Sequence, residues 1–385
     1  ASYGLQGNID KNTSPFLLGN YRIENILPGG SEDMIDVSGA PNKKLRWEKT
    51  HSVNAGFDFA VLNQAINLSV DYYYRKGVDL IGTQMLPLET GFEMLTVNWA
   101  SMRNQGVEVA LSTRNVHTKN FMWTTNFNFA YNNNKVLKEA LREDALEPGR
   151  EGYPAGALFA LKTAGLDEEG YPMFQDKDGK AVSAMEFFKL QEWGFGATDL
   201  TARERRELYT YVGTADCPYT GGFNNTFTYK AFELGVNFSF DFGGKVRSQP
   251  TYSIVDFDKG RNTNRDILNR WTPENTETIF PVLLSQNERL DEYMWYSNQN
   301  EIYRNLDIWI RDLNYVRLQN IRLGYTLPTN FSRTLGMTSA TVAIEGRNLL
   351  VFGSSYKNYL DPETMSNAYA TPAPKSVTLS LNLIF

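Results

Sequence analysis

Strict period-two alternation is the dominant pattern along this chain. Between Phe121 and Tyr131 the odd positions are Phe121, Trp123, Thr125, Phe127, Phe129 and Tyr131, while the even ones, from Met122 to Asn132, read Met, Thr, Asn, Asn, Ala, Asn. From Phe232 to Phe242 the even positions read Phe, Leu, Val, Phe, Phe, Phe, and the odd ones are Glu233, Gly235, Asn237, Ser239 and Asp241. Successive strand side chains point to opposite faces, so each run predicts a strand with one apolar and one polar face. Similar contrasts recur at 53–61, 66–74 and 107–111, and in Val377, Leu379, Leu381, Leu383 and Phe385 at the end.

Charge placement follows the same parity. Asp58, Asp71, Glu108, Glu233, Asp241 and Glu345 all fall on the polar side of their runs. A lipid-facing wall excludes charge, and so does the core face of a soluble sandwich. Runs of about ten or more residues with aromatic-rich apolar faces favour the lipid-facing wall of a transmembrane barrel. The predicted strands lie near 1–7, 44–61, 65–82, 101–113, 120–133, 221–230, 232–243, 308–327, 339–351 and 374–385. Their connections alternate long and short, as external loops and periplasmic turns do in outer-membrane barrels. The stretch 157–165 also looks strand-like, but one extra crossing there would invert every later turn, so 134–220 is read as a single structured external loop. In the 308–327 strand, Val316 and Leu318 are even while Ile321, Leu323, Tyr325 and Leu327 are odd, which predicts a β-bulge near Gln319–Asn320.

Composition narrows the classes. Among 385 residues are 21 Tyr and 23 Phe, yet mean hydropathy is −0.41. No run approaches the ~18–20 apolar residues of a transmembrane helix. A net charge of −6 gives no footprint for nucleic acid. One cysteine, Cys217, and two histidines, His51 and His117, leave little for a disulfide framework, a zinc site or His-based catalysis. There is no Ser/His/Asp set and no phosphate-binding glycine loop; no cofactor and no enzymatic activity are expected. Asp176-Lys177-Asp178-Gly179 lacks the glycine spacing of an EF-hand and is read as an Asp-Gly turn rather than a metal site. The chain opens with strand-like residues, with neither initiator Met nor signal-peptide pattern, and is expected to start mid-structure.

Several blocks, in order along nearly the whole chain, resemble the SusC/RagA-type TonB-dependent outer-membrane transporters. They include Leu45-Arg46-Trp47-Glu48-Lys49-Thr50 with Val70-Asp71-Tyr72-Tyr73-Tyr74-Arg75-Lys76, and Asn104-Gln105-Gly106-Val107-Glu108. Further on come Glu151-Gly152-Tyr153-Pro154, Ala164-Gly165-Leu166-Asp167, Gly221-Gly222-Phe223-Asn224-Asn225, Arg270-Trp271-Thr272, Gly346-Arg347-Asn348-Leu349-Leu350 and Asp361-Pro362-Glu363. The most specific block runs from Tyr315 to Pro328. Leu381-Asn382-Leu383-Ile384-Phe385 resembles the C-terminal signal of the barrel-assembly machinery, with Phe385 as its final aromatic.

The resemblance implies an all-β fold: about ten strands of a 22-stranded transmembrane antiparallel barrel with long extracellular loops. Residues 1–385 would be its C-terminal part, with the plug domain and early strands upstream. It implies TonB-dependent import of an oligosaccharide or peptide, with a SusD-like surface lipoprotein, TonB acting through the upstream plug, the N-terminal part of the same transporter and outer-membrane lipid as partners. A passive porin or surface-adhesion barrel is the alternative. Asp58, Asp71, Glu108, Glu233 and Asp241 are expected to face the lumen. Tyr293, Trp295, Tyr296, Trp193 and Trp99 lie in external connections, where aromatic rings either stack on a sugar or pack against the lipoprotein or a neighbouring loop.

Overall fold

In the computed structural model the described residues are all except 10–13, 18, 28–29, 38–39, 93, 142, 192–197, 249–259, 263–264, 284–303, 354–360 and 366–369. The alternating runs all become strands. In chain order these are β1 (Ser2–Asn8), β2 (Gly19–Leu27), β3 (Gly30–Val37), β4 (Glu48–Val61), β5 (Ile66–Met85), β6 (Met94–His117) and β7 (Phe121–Lys138). Short strands β8 (Ala157–Leu161), β9 (Thr163–Leu166), β10 (Pro172–Gln175), β11 (Ala181–Val182) and β12 (Tyr209–Thr214) come next. The chain closes with β13 (Tyr219–Tyr229), β14 (Phe232–Arg247), β15 (Ile310–Thr326), β16 (Ser339–Phe352) and β17 (Ser376–Ile384).

Ten of these form one sheet, in the order β1-β4-β5-β6-β7-β13-β14-β15-β16-β17. Every adjacent pair is antiparallel. The number, order and approximate place of the ten strands match the sequence expectation. So does the role of 157–165: β8 pairs with β12 and β9 with β10, and neither joins the large sheet. The bulge is also where the parity slip places it. Asn237 faces Asn320 while Phe238 faces Leu318, which leaves Gln319 as the extra residue. Across β16 the register shifts again beside Asn348, which sits at φ +53°.

Three expectations about connections need correction. The long loop expected at 83–100 is mostly strand, because β5 and β6 extend as a paired hairpin to Met85 and Met94, with bulges between Gly77 and Ile81. Pairing there outlives the apolar alternation: ladder hydrogen bonds need no apolar face. The connection after β1 carries its own hairpin, β2–β3. Arg46 and Trp47, expected within the second strand, precede β4.

The packed core is not on the large sheet. Leu161, Phe174, Phe187, Phe188, Leu306 and Trp309 bury one another in the connections before β13 and before β15. On the sheet, many apolar side chains stay open: Phe57 is 61% exposed, Leu379 75% and Leu381 62%. A soluble sandwich would bury that face under a second layer. No such layer exists among the described residues.

Candidate functional site

The sheet has two chemically distinct walls, and the strand register aligns each into rows. On the apolar wall, Phe121, Tyr229, Phe232 and Tyr325 form one cross-strand row. Tyr72, Val107, Tyr131, Tyr219 and Phe242 form another. Rings meet within both rows, stacked with centroids 5.1 Å apart for Tyr131 and Tyr219 and tilted at 4.7 Å for Phe232 and Tyr325. Phe127, Phe223, Phe238 and Leu318 make a row between them. From Phe121 to Tyr131 is ten residues of β7. At about 3.3 Å per residue and a tilt of about 40°, that separates the aromatic rows by roughly 25 Å, the height of the apolar band of an outer-membrane barrel.

Asn225 departs from the rule by standing on the apolar wall. Its Oδ1 accepts from Trp123 Nε1 at 3.0 Å and from Thr125 Oγ1 at 2.7 Å. A polar group facing hydrocarbon has to find its partners within the protein, and this one does.

The opposite wall is polar throughout. One row reads Asn67, Ser112, Asn126, Asn224, Asn237, Asn320 across β5, β6, β7, β13, β14 and β15. A second carries Asp58, Ser69, Ala110, Asn128, Gly222, Ser239 and Arg317. A third carries Asp71, directly opposite Glu108, with Asp241 opposite Tyr315 further along. Gly56 makes room here, since a Cβ would lie 2.2 Å from Asp71 Oδ1. Residues of the first two rows line a trough of about 690 Å³ that runs from Asp58 on β4 to Gln319 on β15. The register puts Asp58, Asp71, Glu108, Glu233 and Asp241 on this one face. Glu233 stands apart from the other four, paired with Arg322 at 3.0 Å near the short-turn end.

One cluster escaped the sequence reading. Arg317, 2% exposed, reaches from the polar wall to the connection between β16 and β17. It donates from Nη2 to Asp361 Oδ1 and from Nε to Glu363 Oε1 at 2.9 Å. Tyr315 donates its hydroxyl to Asp241 at 2.5 Å and lies 3.1 Å from Glu363. The backbone N–H groups of Glu363 and Ala373 also donate to Asp361. The connection is therefore latched onto the wall. The available signals were Arg317 itself, a cation on the polar parity of a strand, and the Asp361-Pro362-Glu363 block.

Burial alone would raise the Asp361 pKa, but Arg317 and the two backbone donors hold it below the ordinary 3.8. A depressed carboxylate contributes stability that is complete above its unfolded value and is lost as pH falls through the folded one. Latching is thus expected to be constant from neutral pH down to about 4 and to fail below it. Hydrogen exchange at the Glu363 and Ala373 amides, corrected for intrinsic rates, checks this. Asp361→Asn should give weak protection with little pH dependence, and a wild type equally protected at pH 2 would contradict it.

Of the aromatic candidates, Trp193, Tyr293, Trp295 and Tyr296 lie outside the described residues. Trp99 is 46% exposed, with Lys138 Nζ 3.6 Å from its ring centroid, so one ring face already carries a cation. Asp176 Oδ1 accepts from the amides of Asp178 at 2.9 Å and Lys180 at 2.8 Å, the geometry of a tight turn. No group of three or more metal-ligating side chains occurs among the described residues.

An antiparallel sheet with an aromatic-rimmed apolar wall and a polar trough behind it is consistent with the wall of an outer-membrane barrel. No family model matches the chain. It is 26% identical to TonB-dependent receptor P3 of Formosa agariphila, across 100% of this chain and 39% of that protein. It is also 26% identical to TonB-dependent receptor SusC of Bacteroides thetaiotaomicron, across 89% of this chain and 32% of that one. Among solved structures it superposes on the RagAB peptide transporter with a TM-score of 0.72 at 23% identity, over 99% of this chain and 40% of the other. The RagAB importer in its open-open state gives 0.73 at 22% identity, over 100% of this chain and 39% of that one; at these identities the structural likeness speaks for the fold. The chain spans about two fifths of the length of such relatives. It matches the SusC/RagA-type TonB-dependent receptors at the level of the family, over a length consistent with part of a barrel. Those curated relatives are named as TonB-dependent receptors.

Proposed function

We propose that this chain forms one side of a closed, 22-stranded barrel that imports a nutrient, an oligosaccharide or a peptide, in a TonB-dependent manner. The observation that carries this reading is the two-walled sheet, whose apolar face finds no second layer among the described residues and whose polar face lines a trough. The outer edges of β1 and β17 end the sheet. Unpaired edges are prohibitively costly in lipid, so further strands of the same transporter close the ring. Its remaining domains, including a plug reached by TonB, lie in the upstream part, and a SusD-like lipoprotein caps the long-connection side.

In this reading the polar wall faces the passage. The uncharged Asn and Ser row stands at the depth of the mid-membrane, and Asp58, Asp71, Glu108 and Asp241 stand above it. These groups hydrate the passage and hold the plug by hydrogen bonds. A face so rich in amide side chains suits neutral polar solutes, which exchange water for hydrogen bonds at little cost. Trp99 belongs to the rim, and Phe385 to the barrel-assembly signal.

Uptake of labelled oligosaccharide and peptide pools by cells carrying the full-length protein tests the reading. Transport should stop when TonB is deleted or the proton gradient is collapsed. Uptake that persists under both conditions would instead identify a passive porin, and a protein that transports neither pool under any condition would favour an adhesion barrel.

A further inference from the structure

The apolar wall ends, above its upper aromatic row, in a line of cations. Lys76, Arg103 and Lys135 face one another directly across β5, β6 and β7, with His51 of β4 next in the same row. Each of Lys76, Arg103 and Lys135 lies an even number of residues from Val70, Val109 and Phe129, with no register shift in between, so all three point outward from the same wall. They stand four residues beyond Tyr72, Val107 and Tyr131. At about 3.3 Å per residue and the same tilt, that places them roughly 10 Å above the aromatic rim.

Three like charges directly opposite one another on neighbouring strands repel, and such rows persist where an anion offsets them. Among the described residues, no carboxylate pairs with Lys76, Arg103 or Lys135, and the Arg103 Nε is buried without an acceptor. The carboxylate near this rim, Asp79, is already engaged by Arg46 at 2.5 Å and Lys49 at 3.6 Å. Asp71 and Glu108 stand on the opposite wall. The His51 ring lies 2.9 Å from the Tyr3 hydroxyl and ends the row on β4.

We propose that Lys76, Arg103 and Lys135 seat the phosphate of an anionic lipid headgroup in the outer leaflet. A row of three strands spans about 10 Å, within the reach of one phosphorylated headgroup whose acyl chains lie against the aliphatic and aromatic wall below. Continuity with that wall selects a lipid over a soluble anion: the cations sit where a headgroup must be if the chains occupy the apolar band. Arg103 presents its planar fork to phosphate oxygens, and the lysines flank it as mobile point charges. The seat rests on the barrel-wall placement proposed above but not on TonB coupling.

Binding of a bisphosphorylated glycolipid of the lipid A type to the full-length protein, measured by native mass spectrometry from detergent, tests it. Wild type should bind this lipid at least tenfold more tightly than its dephosphorylated counterpart. The triple variant Lys76→Gln, Arg103→Gln, Lys135→Gln should lose that preference. A control with equal charge loss in the short turns at the other end, Lys119→Gln, Lys230→Gln, Arg333→Gln, should keep it. Inorganic phosphate at equal phosphate concentration should not displace the lipid. Equal binding of the two lipids by wild type overturns the seat even if the triple variant fails to fold, as does full displacement by inorganic phosphate, which would mark a soluble-anion site. A protein that stays soluble without detergent would instead overturn the barrel placement itself.

Discussion

Arg317→Met should free the connection between β16 and β17 from the polar wall and make it the first segment cut by protease in the folded protein. The side chain is buried against Asp361, with Glu363 and Tyr315 sharing the cluster. Its removal strands a buried carboxylate rather than merely deleting a contact. Breaking one partner out of such a pair costs about 3–5 kcal/mol, equivalent to roughly a hundred- to several-thousandfold rise in the open population. The double variant Arg317→Met, Asp361→Leu should recover much of the loss, because both charges leave together. Cleavage rates between β16 and β17 in detergent-folded protein measure the effect. If Arg317→Met were cut no faster than wild type, the cluster would be a surface pairing of no consequence.

A second large effect separates two adjacent residues. Phe127→Arg puts a charge on the apolar wall midway between the aromatic rows, where the cost is about 2–4 kcal/mol. Asn126→Arg puts the same charge one residue away, on the polar wall, where water accepts it and Glu108 of the neighbouring strand β6 shares the face. The first should deplete folded, heat-modifiable protein in the outer membrane, and the second should leave its level close to wild type. Equal tolerance of both variants would contradict the two-walled reading, and the reverse order would place the hydrocarbon on the wrong face.

The same alternation explains why so much was readable beforehand. A one-residue slip would turn every Phe of β7 and β14 to the wrong side, so hydrophobic pattern alone pins the register of Phe127 to Phe223 to Phe238. The bulge was readable for the same reason: a parity change within one strand has no other economical cause, and Gln319 is where it falls. Parity also put Asp58, Asp71, Glu108, Glu233 and Asp241 on a single face.

Sequence determined the ten strands, their order and the chemistry of their two walls, because period-two contrast is a local property that neighbouring residues carry with them. Tertiary structure alone decided which distant groups meet. Arg317 finds Asp361 across a connection, Phe174 and Trp309 build a core from two separate connections, and Lys76, Arg103 and Lys135 align only once β5, β6 and β7 are in register. Connections have no periodicity to betray their partners. Their contacts depend on where closed chains bring the ends together, and that is a property of the folded sheet.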